Sequence, residues 1–446
     1  MADPKRFYVL TGGTMVHVAP HFSLCAPAYG RVGVDIHAEL ARQLRRDPER
    51  EVVLIRTKMA IGAGAPSEQE RALFKHAELP YLETNDDLAK LLAHLVARPD
   101  TACIVLACAV CDWQPESLAQ AGEPLDVDGF GKQVARLETR KGPLQATLRP
   151  ADKLIASIRQ QRKDVFLVGF KATTGLSEDA LYLTGLGLLK RASCNLVLAN
   201  DVHTRLNMVI TPEEARYHVS KDRREVVAGL CEMIELRTGL TFTRSTVVPG
   251  EPIPWTGDEV PANLRAVVDH CIARGAYKPF QGKTVGHFAT RGPRPGIIYT
   301  SRRKSNFNNL ATDGLLEIEA VDQDRVIARG AKPSVGGQSQ RIIFDMHEDV
   351  DCIVHFHCPP RHPIGEDAGA GRAIPTRPQR PFECGSHECG RNTAEGLREV
   401  WQGIKAVYLD EHGPNICFSR HEDPRRVIEF IEHNFDLEAK TGGLVG

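Results

Sequence analysis

Two histidines one residue apart, His355 and His357, lie at the end of a short apolar run, DCIVHFHCPPR. If this run is a β-strand, the alternation of side chains places both imidazoles on one face, close enough to bind one metal ion. A third histidine, His412, follows another predicted strand at 407–409. Three imidazoles and an open fourth position are a ligand set of catalytic zinc. Because HxH pairs also occur in surfaces and cores without metal, the pair alone leaves both interpretations open.

A second candidate site lies near the start of the chain, where a predicted strand runs into Thr11, Gly12, Gly13 and Thr14. A further pair of glycines, Gly30 and Gly33, opens a predicted helix. Glycines at the start of a helix allow backbone amides to approach a phosphate. The two pairs are too far apart for the compact dinucleotide-binding fingerprint. The spacing is therefore consistent with a nucleotide site and also with a plain tight turn.

Strands and helices alternate through the first half of the sequence. The strands are predicted at 7–10, 51–56, 102–110, 165–170 and 195–199, and the helices at 34–47, 86–97 and 152–161. This order predicts a doubly wound, Rossmann-like parallel sheet, in which ligands bind at the carboxyl ends of the strands. The polar residues at those ends are Thr11, Thr14, Cys111, Asp112, Lys171, Asn200 and Asp201.

Composition limits the class of protein. With 42% apolar residues, 25% charged residues and a formal net charge of −1, the chain has the profile of a globular protein without an electrostatic case for binding nucleic acid or a membrane. No apolar run approaches the roughly 18 residues that span a bilayer. The twelve cysteines, several of them in apolar runs, are typical of reduced core thiols. With no signal-peptide pattern at the N-terminus, these features predict a cytoplasmic protein.

Short motifs in the first half carry a family resemblance. They are LTGGT (10–14), GRVG (30–33), AVCDWQPE (109–116), RLETRKGPLQATLRPADKL (136–154), VGFKATT (168–174) and NLVLANDV (195–202). In this order they resemble the phosphopantothenoylcysteine synthetase (phosphopantothenate–cysteine ligase) family over residues 5–235. The resemblance implies a nucleoside triphosphate, CTP with Mg²⁺, that activates a carboxylate before an amine attacks it. Whether the nucleotide is CTP or ATP stays open.

The resemblance also implies roles for individual residues. Asp112 is placed at the ribose or base, and Arg136 stands where the family has a lysine on the phosphates; both are the candidate catalytic residues of this half. The remaining candidate nucleotide-binding residues are Gly12, Gly13, Gly30, Gly33, Ala151, Asp152, Phe170 and Asn200. Structural roles are the alternatives for Phe170, as a core aromatic, and for Asp112, as a turn or cap residue.

One departure from that family concerns the part of its site that handles the acyl intermediate. The family has an asparagine followed by Ser-Ser-Gly, where this chain has Ala26-Pro27-Ala28-Tyr29-Gly30. The lysines before the ANDV strand are also out of register, with Lys190 and Arg191 nearby. Nucleotide binding is therefore expected to persist with a changed acceptor.

The segment 241–260 is rich in Thr, Gly and Pro and is predicted to be a linker between a domain at 1–240 and a domain at 261–446. In the second domain, helices are predicted at 261–274, 339–348, 390–405 and 425–435, with a β-rich passage after the first of them. The predicted fold is an α/β domain with a central, mainly antiparallel sheet.

The second half also resembles a known family. The motifs are GHFATR (286–291), IIYTSR (297–302), ARGAKPS (328–334), DCIVHFHCP (351–359) and LDEHGPNICFS (409–419), and they resemble the class II aldolase/adducin family. The resemblance implies that His355, His357 and His412 bind a divalent metal, usually zinc, which acts as a Lewis acid in C–C cleavage or epimerisation.

The second half departs from its family as well. The family's catalytic glutamate follows a Pro-Ser-Ser-like turn, but 333–338 here contains no carboxylate. The candidates for the missing base are Glu411 and Glu348, with Asp351, Glu383 and Glu388 as alternatives. The candidate substrate-binding residues are His287, which replaces an asparagine, and Ser301, Arg302 and Ser334. The basic run from Arg302 favours an anionic substrate, although a solvated loop has the same composition.

These observations lead to one hypothesis and its rival. The hypothesis is a bifunctional metabolic enzyme, with a nucleotide-dependent ligase half and a zinc-dependent lyase or epimerase half, acting on small anionic, phosphorylated metabolites. The rival is that one half is degenerate and serves as an adducin-like binding or assembly module. For the segment FECGSHECG (382–390) three interpretations stay open: a mobile active-site loop, a second metal site and a polar loop. The expectation of a homo-oligomer rests only on the two family resemblances.

Overall fold

The computed structural model describes residues 5–62, 64–125, 129–334, 337–365 and 374–440. The chain divides into two compact units. Unit 1 contains the residues up to Ile210 together with Tyr217–Thr238, and unit 2 contains Thr211–Arg216 and the residues from Gly239 onward.

The first 238 residues contain a seven-stranded sheet, a hairpin and a small three-stranded sheet. Their strands are β1 (Lys5–Gly13), β2 (Met15–Ala19), β3 (Phe22–Cys25), β4 (Arg50–Arg56), β5 (Thr101–Ala109), β6 (Trp113–Gln120), β7 (Glu123–Pro124), β8 (Leu144–Pro150), β9 (Phe166–Thr173), β10 (Leu196–Asp201), β11 (Asn207–Ile210) and β12 (Arg216–Ser220). The large sheet has the order β12-β11-β10-β9-β5-β1-β4. Its five strands from β10 to β4 are parallel, because helical crossovers connect them.

The helices of this half are α1 (Arg31–Leu44), α2 (Glu68–His76), α3 (Asn85–Ala97), α4 (Ile155–Gln161), α5 (Glu178–Ala192) and α6 (Arg223–Arg237). They form two groups, since α1 packs against α6 whereas α3 packs against α4 and α4 against α5. The chain leaves β1 toward β4 and returns to β5 on the other side of β1, which makes the β1–β5 border the switch point of a doubly wound sheet. The predicted fold class is therefore confirmed for this half.

Unit 2 is organised on one large mixed sheet. Its strands are β13 (Arg244–Val248), β14 (His287–Arg291), β15 (Ile297–Thr300), β16 (Leu316–Ala320), β17 (Arg325–Arg329), β18 (Cys352–His355), β19 (Thr376–Arg377), β20 (Arg398–Trp401), β21 (Ile404–Leu409) and β22 (Gly413–Phe418). The helices are α7 (Ala262–Ala273), α8 (Leu310–Asp313), α9 (Gly337–Met346), α10 (His387–Gly396) and α11 (Pro424–Asn434). The sheet order is β13-β17-β16-β15-β14-β18-β22-β21-β19, with β20 on β21.

Both faces of this sheet are covered, which explains why its central strands are apolar throughout. Most neighbouring strands are antiparallel, as predicted; the pairs β13–β17 and β19–β21 are parallel. Cys352 and Val354 of β18 pack in a core cluster with residues of α7 and α11. Ile353 packs on the opposite face with residues of α9 and α10. By alternation, His355 shares the face of Ile353.

Three segments differ from the sequence-based expectations. The helix predicted at 390–405 is α10 followed by strand β20, because Gly396 packs tightly against Arg377 and Val407 at the end of the helix, and Val400 and Trp401 favour a strand. The predicted linker contributes β13, which pairs with β17. Helix α4 begins at Ile155 rather than at 152.

The cysteines at 103, 108, 194 and 352 are buried free thiols, as predicted. Within the described ranges, no helix combines the length and the apolar character needed to cross a membrane.

Replacement of Gly33 by alanine is expected to lower the free energy of unfolding by about 1–2 kcal/mol. A Cβ at this position would lie less than 3.0 Å from the side chain of Thr11 on β1. The resulting overpacking, about 1–3 kcal/mol, outweighs the gain in helix propensity of up to about 1 kcal/mol. Calorimetric unfolding measures the difference. The control is Gly64→Ala, where a Cβ meets open space; equal stabilities of the two variants would contradict the packing argument.

Candidate functional site

The three histidines predicted from the sequence come from two adjacent parts of the unit 2 sheet. His355 is the last residue of β18, His357 follows it, and His412 lies in the turn between β21 and β22. Strand β22 pairs with β18, with Asn415 opposite His355, so that the turn lies beside the end of β18. Gly413 allows this approach: its φ is 153°, and a Cβ there would collide with the backbone at Phe356.

The imidazoles meet at their Nε2 atoms. The Nε2 of His412 lies 3.2 Å from that of His355 and 3.1 Å from that of His357. All three side chains are buried, and one nitrogen from each lies within 4.8 Å of the others. The structure therefore brings the predicted ligand set together.

The outer nitrogens of two of these rings have fixed roles. The Nδ1 of His355 donates to the carbonyl of Pro414 at 2.8 Å, since a carbonyl can only accept. The Nδ1 of His412 donates to Oε1 of Gln379 at 3.0 Å, because the amide group of Gln379 donates to the carbonyl of Phe382. In the neutral rings, both Nε2 atoms therefore carry a lone pair.

Two lone pairs 3.2 Å apart repel each other unless a cation lies between them. Zn–N bonds of 2.0–2.1 Å in tetrahedral geometry separate ligand nitrogens by about 3.3 Å, which is close to the observed distances. Outer-shell acceptors such as Pro414 and Gln379 are the partners that metal-bound imidazoles commonly have. The arrangement thus fits a divalent metal with three protein ligands. Neither acceptor was predicted, because Gln379 lies 33 residues from His412 in sequence and Pro414 lies 59 residues from His355.

Burial favours the neutral form of His355 and of its neighbour His287. It lowers the pKa of His355 to about 4, against a smaller raising effect of the bond to Pro414. It also lowers the pKa of His287 well below its ordinary value, and His355 adds to that shift. Neutral imidazole is the form that binds metal.

His287 extends the polar row on the same face of the sheet. It lies opposite His355 in the β14–β18 pair, and the two ring centroids are 4.7 Å apart. Its Nδ1 is 2.8 Å from Nε2 of Gln340, whose Oε1 accepts from Thr300. Gln340 is a second residue that sequence reasoning missed; its spacing on α9 gave no signal.

The other predicted substrate-binding residues lie at the end of the neighbouring strand. Ser301 and Arg302 follow β15, and Ser334 donates its N–H to the carbonyl of Ser301 at 2.9 Å. Ser301 in turn donates its N–H to the carbonyl of Phe288 on β14. The Oγ of Ser301 is buried, and among the described residues it has no hydrogen-bond partner. Ser301, Arg302 and Ser334 therefore lie together at the end of β15, next to β14, which contains His287.

The predicted carboxylates divide into two groups. Glu411 precedes His412 in the turn, with an exposed side chain and a left-handed backbone (φ 56°). Glu348 lies before β18, at the opposite end of the strand from His355, and Asp351 at that end accepts from the N–H of Arg420. At about 3.3 Å per residue, β18 separates these two carboxylates from the cluster. Glu348 is therefore not brought to the site, contrary to the expectation.

The segment 382–390 is partly helical rather than a free loop. Helix α10 begins at His387, whose Nε2 lies 2.7 Å from Oγ1 of Thr243, and Glu388 accepts from the N–H of Thr241. Within the described part of the chain, the Cys, His and Glu residues of this segment do not form a group of three possible metal ligands, whereas the three histidines do.

The glycines of the predicted nucleotide site in unit 1 lie at the end of β1 and the start of α1. Gly12 and Gly30 have positive φ angles of 106° and 74°. A Cβ on Gly13 or Gly33 would collide with the carbonyl of Ala26 or the side chain of Thr11. Close packing of β1 against α1, against the segment before α1 and against the residues after β4 therefore accounts for all four glycines. A phosphate-binding role is an additional expectation.

Asp112 follows β5 at the switch point of the sheet. Its side chain is exposed and forms an ion pair with Lys153 at 2.5 Å, and its carbonyl accepts from the N–H of Ala151. The structure thereby brings Asp112, Ala151 and Asp152 together. Arg136 is exposed, in the segment before β8. Lys153 was missed as a separate residue, although it lies in the RPADKL motif.

Phe170 and Asn200 lie on the adjacent strands β9 and β10, and both are half-buried. Asp201 next to them has a local structural role: the backbone N–H groups of Thr204 and Leu176 donate to its carboxylate and lower its pKa below the usual range. Its predicted place at the strand end is correct, but its carboxylate is already bound.

A buried hydrogen-bond network joins the two strand ends at the switch point. The Oγ1 of Thr14 donates to Oδ1 of Asn85 at 2.6 Å, and the amide of Asn85 donates to the carbonyl of Cys111. The N–H of Cys111 donates back to Thr14. Asn85, in the first turn of α3, is the member that the sequence did not reveal.

The metal-free protein is expected to lose stability on acidification because of His355. Between its folded pKa of about 4 and the unfolded value of 6.5, only the unfolded chain binds the proton. The free energy of unfolding is therefore highest above pH 6.5 and decreases by about 3 kcal/mol toward pH 4. Urea unfolding followed by the fluorescence of Trp255 and Trp401, which pack in the same core of unit 2, measures this loss in a Trp113→Phe background.

The comparison is between His355→Asn, in which this contribution disappears, and His362→Asn, which removes an exposed histidine and keeps it. The expectation would be contradicted if the free energy of unfolding rose on acidification and did so only in proteins that keep His355. Such a result would indicate that His355 and His412 share a proton.

The chain matches no protein-family model. A curated relative, the coenzyme A biosynthesis bifunctional protein CoaBC of Thermococcus kodakarensis, is 28% identical over 201 residues, which are 45% of this chain. The chain spans 42% of the length of that relative.

Two solved structures are given as examples of those similar to parts of this chain. The DNA/pantothenate metabolism flavoprotein from Streptococcus pneumoniae has 22% identity and a TM-score of 0.41, covering 52% of this chain and 98% of its own. L-fuculose 1-phosphate aldolase has 14% identity and a TM-score of 0.30, covering 40% of this chain and 85% of its own. The similarity to CoaBC agrees with the resemblance that the motifs of the first half predict. An aldolase, the kind of protein that the motifs of the second half predict, is among the solved structures similar to this chain.

Proposed function

We propose that unit 2 binds one divalent metal ion, zinc in the first instance, through His355, His357 and His412, and acts as a lyase or epimerase on a small anionic metabolite. The observation that carries the proposal is the convergence of three buried Nε2 atoms, two of them with lone pairs fixed toward each other at 3.2 Å. When bound, the ion supplies a Lewis acid for a carbonyl oxygen of the substrate.

The chain's own residues position the substrate and move its proton. Ser301, Arg302 and Ser334 supply hydroxyl and guanidinium donors at the end of β15, which suits a phosphate or carboxylate. His287, held by Gln340, lies beside His355 on the same face. Glu411 is the proposed proton acceptor, because it adjoins His412 in the turn, whereas Glu348 lies at the far end of β18.

For unit 1 we propose nucleotide-dependent activation of a carboxylate, with CTP and Mg²⁺ as the first choice and ATP as the alternative. The likeness to CoaBC over 201 residues supports it. So do the positions of Gly12, Gly30 and Asp112 at the switch point of the sheet, where doubly wound folds bind ligands. Lys153, paired with Asp112, adds a positive charge for a phosphate.

The two units together then make a bifunctional metabolic enzyme, and its substrates are small anionic molecules. This chain spans only 42% of the length of CoaBC. The acid and the amine that unit 1 uses as substrates must therefore be identified by experiment. A screen of candidate acids for conversion of CTP to CMP and pyrophosphate tests the ligase step directly.

Protein purified without chelator is expected to contain about one zinc ion per chain. His412→Asn should abolish stoichiometric binding, because it removes one of three ligands, whereas the exposed His362→Asn should not. Gln379→Met should weaken zinc binding by about 10- to 100-fold, because the Nδ1 of His412 loses its acceptor. Elemental analysis and competition with a chromophoric chelator measure both effects.

No stoichiometric metal in the wild-type protein, even after added zinc, would remove the lyase proposal and favour a scaffold role for unit 2.

Titration calorimetry is expected to show binding of CTP or ATP to the full chain in the presence of Mg²⁺. Arg136→Ala should weaken it by about 10-fold, corresponding to about 1.4 kcal/mol for one charge-assisted contact with a phosphate. Arg140→Ala, another exposed arginine in the same segment, is the matched control. If neither nucleotide binds, the proposal for unit 1 fails; equal effects of the two substitutions would remove only the role of Arg136.

A further inference from the structure

The β2–β3 hairpin of unit 1 contains a serine–histidine pair that the proposed function does not use. The hairpin follows directly after β1, at the edge of the sheet where the parallel strands end. His17 on β2 lies directly opposite Ser23 on β3, and its Nδ1 is 2.7 Å from the Ser23 Oγ. Both residues are half-buried, so the pair is within reach of a small molecule.

A buried carboxylate lies on the other side of the imidazole. The Oε2 of Glu83 is 3.5 Å from the Nε2 of His17, and the hairpin is attached to Glu83 by a hydrogen bond from the Met15 N–H to the Glu83 carbonyl at 3.1 Å. Burial alone raises the pKa of Glu83, but hydrogen bonds from Lys132 and Lys58 outweigh it, so that the pKa lies below its ordinary value. Glu83 is therefore an anion at neutral pH.

The carboxylate determines the preferred tautomer of His17. A negative charge beside Nε2 favours the form with the proton on that nitrogen, which leaves Nδ1 as the acceptor. The hydroxyl of Ser23 then donates to Nδ1 across 2.7 Å. This is the order of a hydroxyl, an imidazole base and an orienting carboxylate in acyl-transferring enzymes, with the two ring nitrogens exchanged.

Two ammonium groups complete the cluster and indicate the charge of its substrate. Lys58 and Lys132 form ion pairs with the two oxygens of Glu83, and both remain partly exposed. The Nζ of Lys58 lies 4.5 Å from the ring centroid of Tyr81, which also holds it in place. Two cations around one carboxylate leave a net positive charge on the Glu83 side of His17, and this favours an anionic acyl donor.

We propose that Ser23 is a nucleophile for acyl transfer, with His17 as its general base and Glu83 as the residue that orients His17. Ser23 Oγ attacks the carbonyl carbon of an acyl phosphate or acyl nucleotide. The new C–O bond forms an ester on Ser23, the bond from the carbonyl carbon to the phosphate oxygen breaks, and the hydroxyl proton passes to His17. The phosphate or nucleoside monophosphate leaves as an anion, and a later amine or water regenerates the serine.

The site also accounts for a departure noted in the sequence. Segment 26–30 lacks the asparagine and serines that the resembling family has for its acyl intermediate, and Ser23 lies just before that segment, on the strand whose continuation hydrogen-bonds to Thr14. The natural acyl donor rests on the proposed function of unit 1, because that reaction forms an acyl nucleotide. The nucleophilic character of Ser23 does not rest on it.

The test uses the full chain and an alkyl fluorophosphonate probe, which reacts with activated serines without any nucleotide. The Ser23 O–P bond forms, the P–F bond breaks and fluoride leaves, so the adduct is located by peptide mass spectrometry. The expected result is labelling at Ser23 that disappears in Ser23→Ala and persists in Ser117→Ala, a substitution of an exposed serine on β6. His17→Ala should slow labelling by about 100-fold or more, and added imidazole should restore part of the rate.

Each outcome decides between the two proposals. Labelling of Ser23 without binding of CTP or ATP would keep the nucleophile and remove the nucleotide-dependent function of unit 1. Nucleotide binding without labelling of wild-type Ser23 would overturn the present inference and leave that function intact. A labelling rate unchanged in a folded His17→Ala would also overturn it. Far-UV circular dichroism and the unfolding midpoint of each variant verify that the substituted chain is folded.

Discussion

The chemistry of the three-histidine site in unit 2 depends on two imidazole lone pairs that face each other. The carbonyl of Pro414 accepts a hydrogen bond from Nδ1 of His355, and the amide oxygen of Gln379 accepts one from Nδ1 of His412. The Nε2 atoms of these two histidines lie 3.2 Å apart. Buried neutral rings gain nothing from this contact, because neither can donate to the other. A shared proton would relieve the repulsion but place a charge where burial disfavours one. A divalent ion that also binds His357 would remove the repulsion between the lone pairs without protonating either ring.

That contact depends in turn on strand register and on one glycine. The pairing of His355 with Asn415 and of His355 with His287 fixes which side chains share a face. A register shift of one residue would move His355 to the opposite face, among the residues that pack on α7 and α11. Gly413 then allows the turn to approach Phe356 closely enough for His412 to reach His357. The metal-binding hypothesis therefore follows from backbone constraints as much as from the histidines themselves.

Much of the fold and part of the site could be predicted from the sequence. The alternation of apolar strands with helices predicted the doubly wound sheet, and the HxH spacing predicted two ligands on one face. The outer acceptors Gln379 and Pro414 could not be predicted, because only tertiary pairing brings together β18, β22 with the turn before it, and the segment before α10. Glu348 failed as a candidate base because its nearness to His355 in sequence becomes the length of a strand in the fold. The helix predicted at 390–405 failed because packing at Gly396 overrides helix propensity.

The glycines and the hairpin of unit 1 show two opposite limits of motif reasoning. Gly12, Gly13, Gly30 and Gly33 match a phosphate-binding pattern, yet contacts with Thr57, Ala26 and Thr11 already require each of them to be small or to adopt a positive φ. Ser23, His17 and Glu83 match no motif, because their order in the chain and the separation of 66 positions between His17 and Glu83 conceal the cluster. Hairpin register sets the Ser23–His17 distance, and the bond from Met15 to the backbone of Glu83 sets the position of the carboxylate. In both cases backbone geometry determines which side chains meet, and the spacing of the residues along the chain does not reveal it.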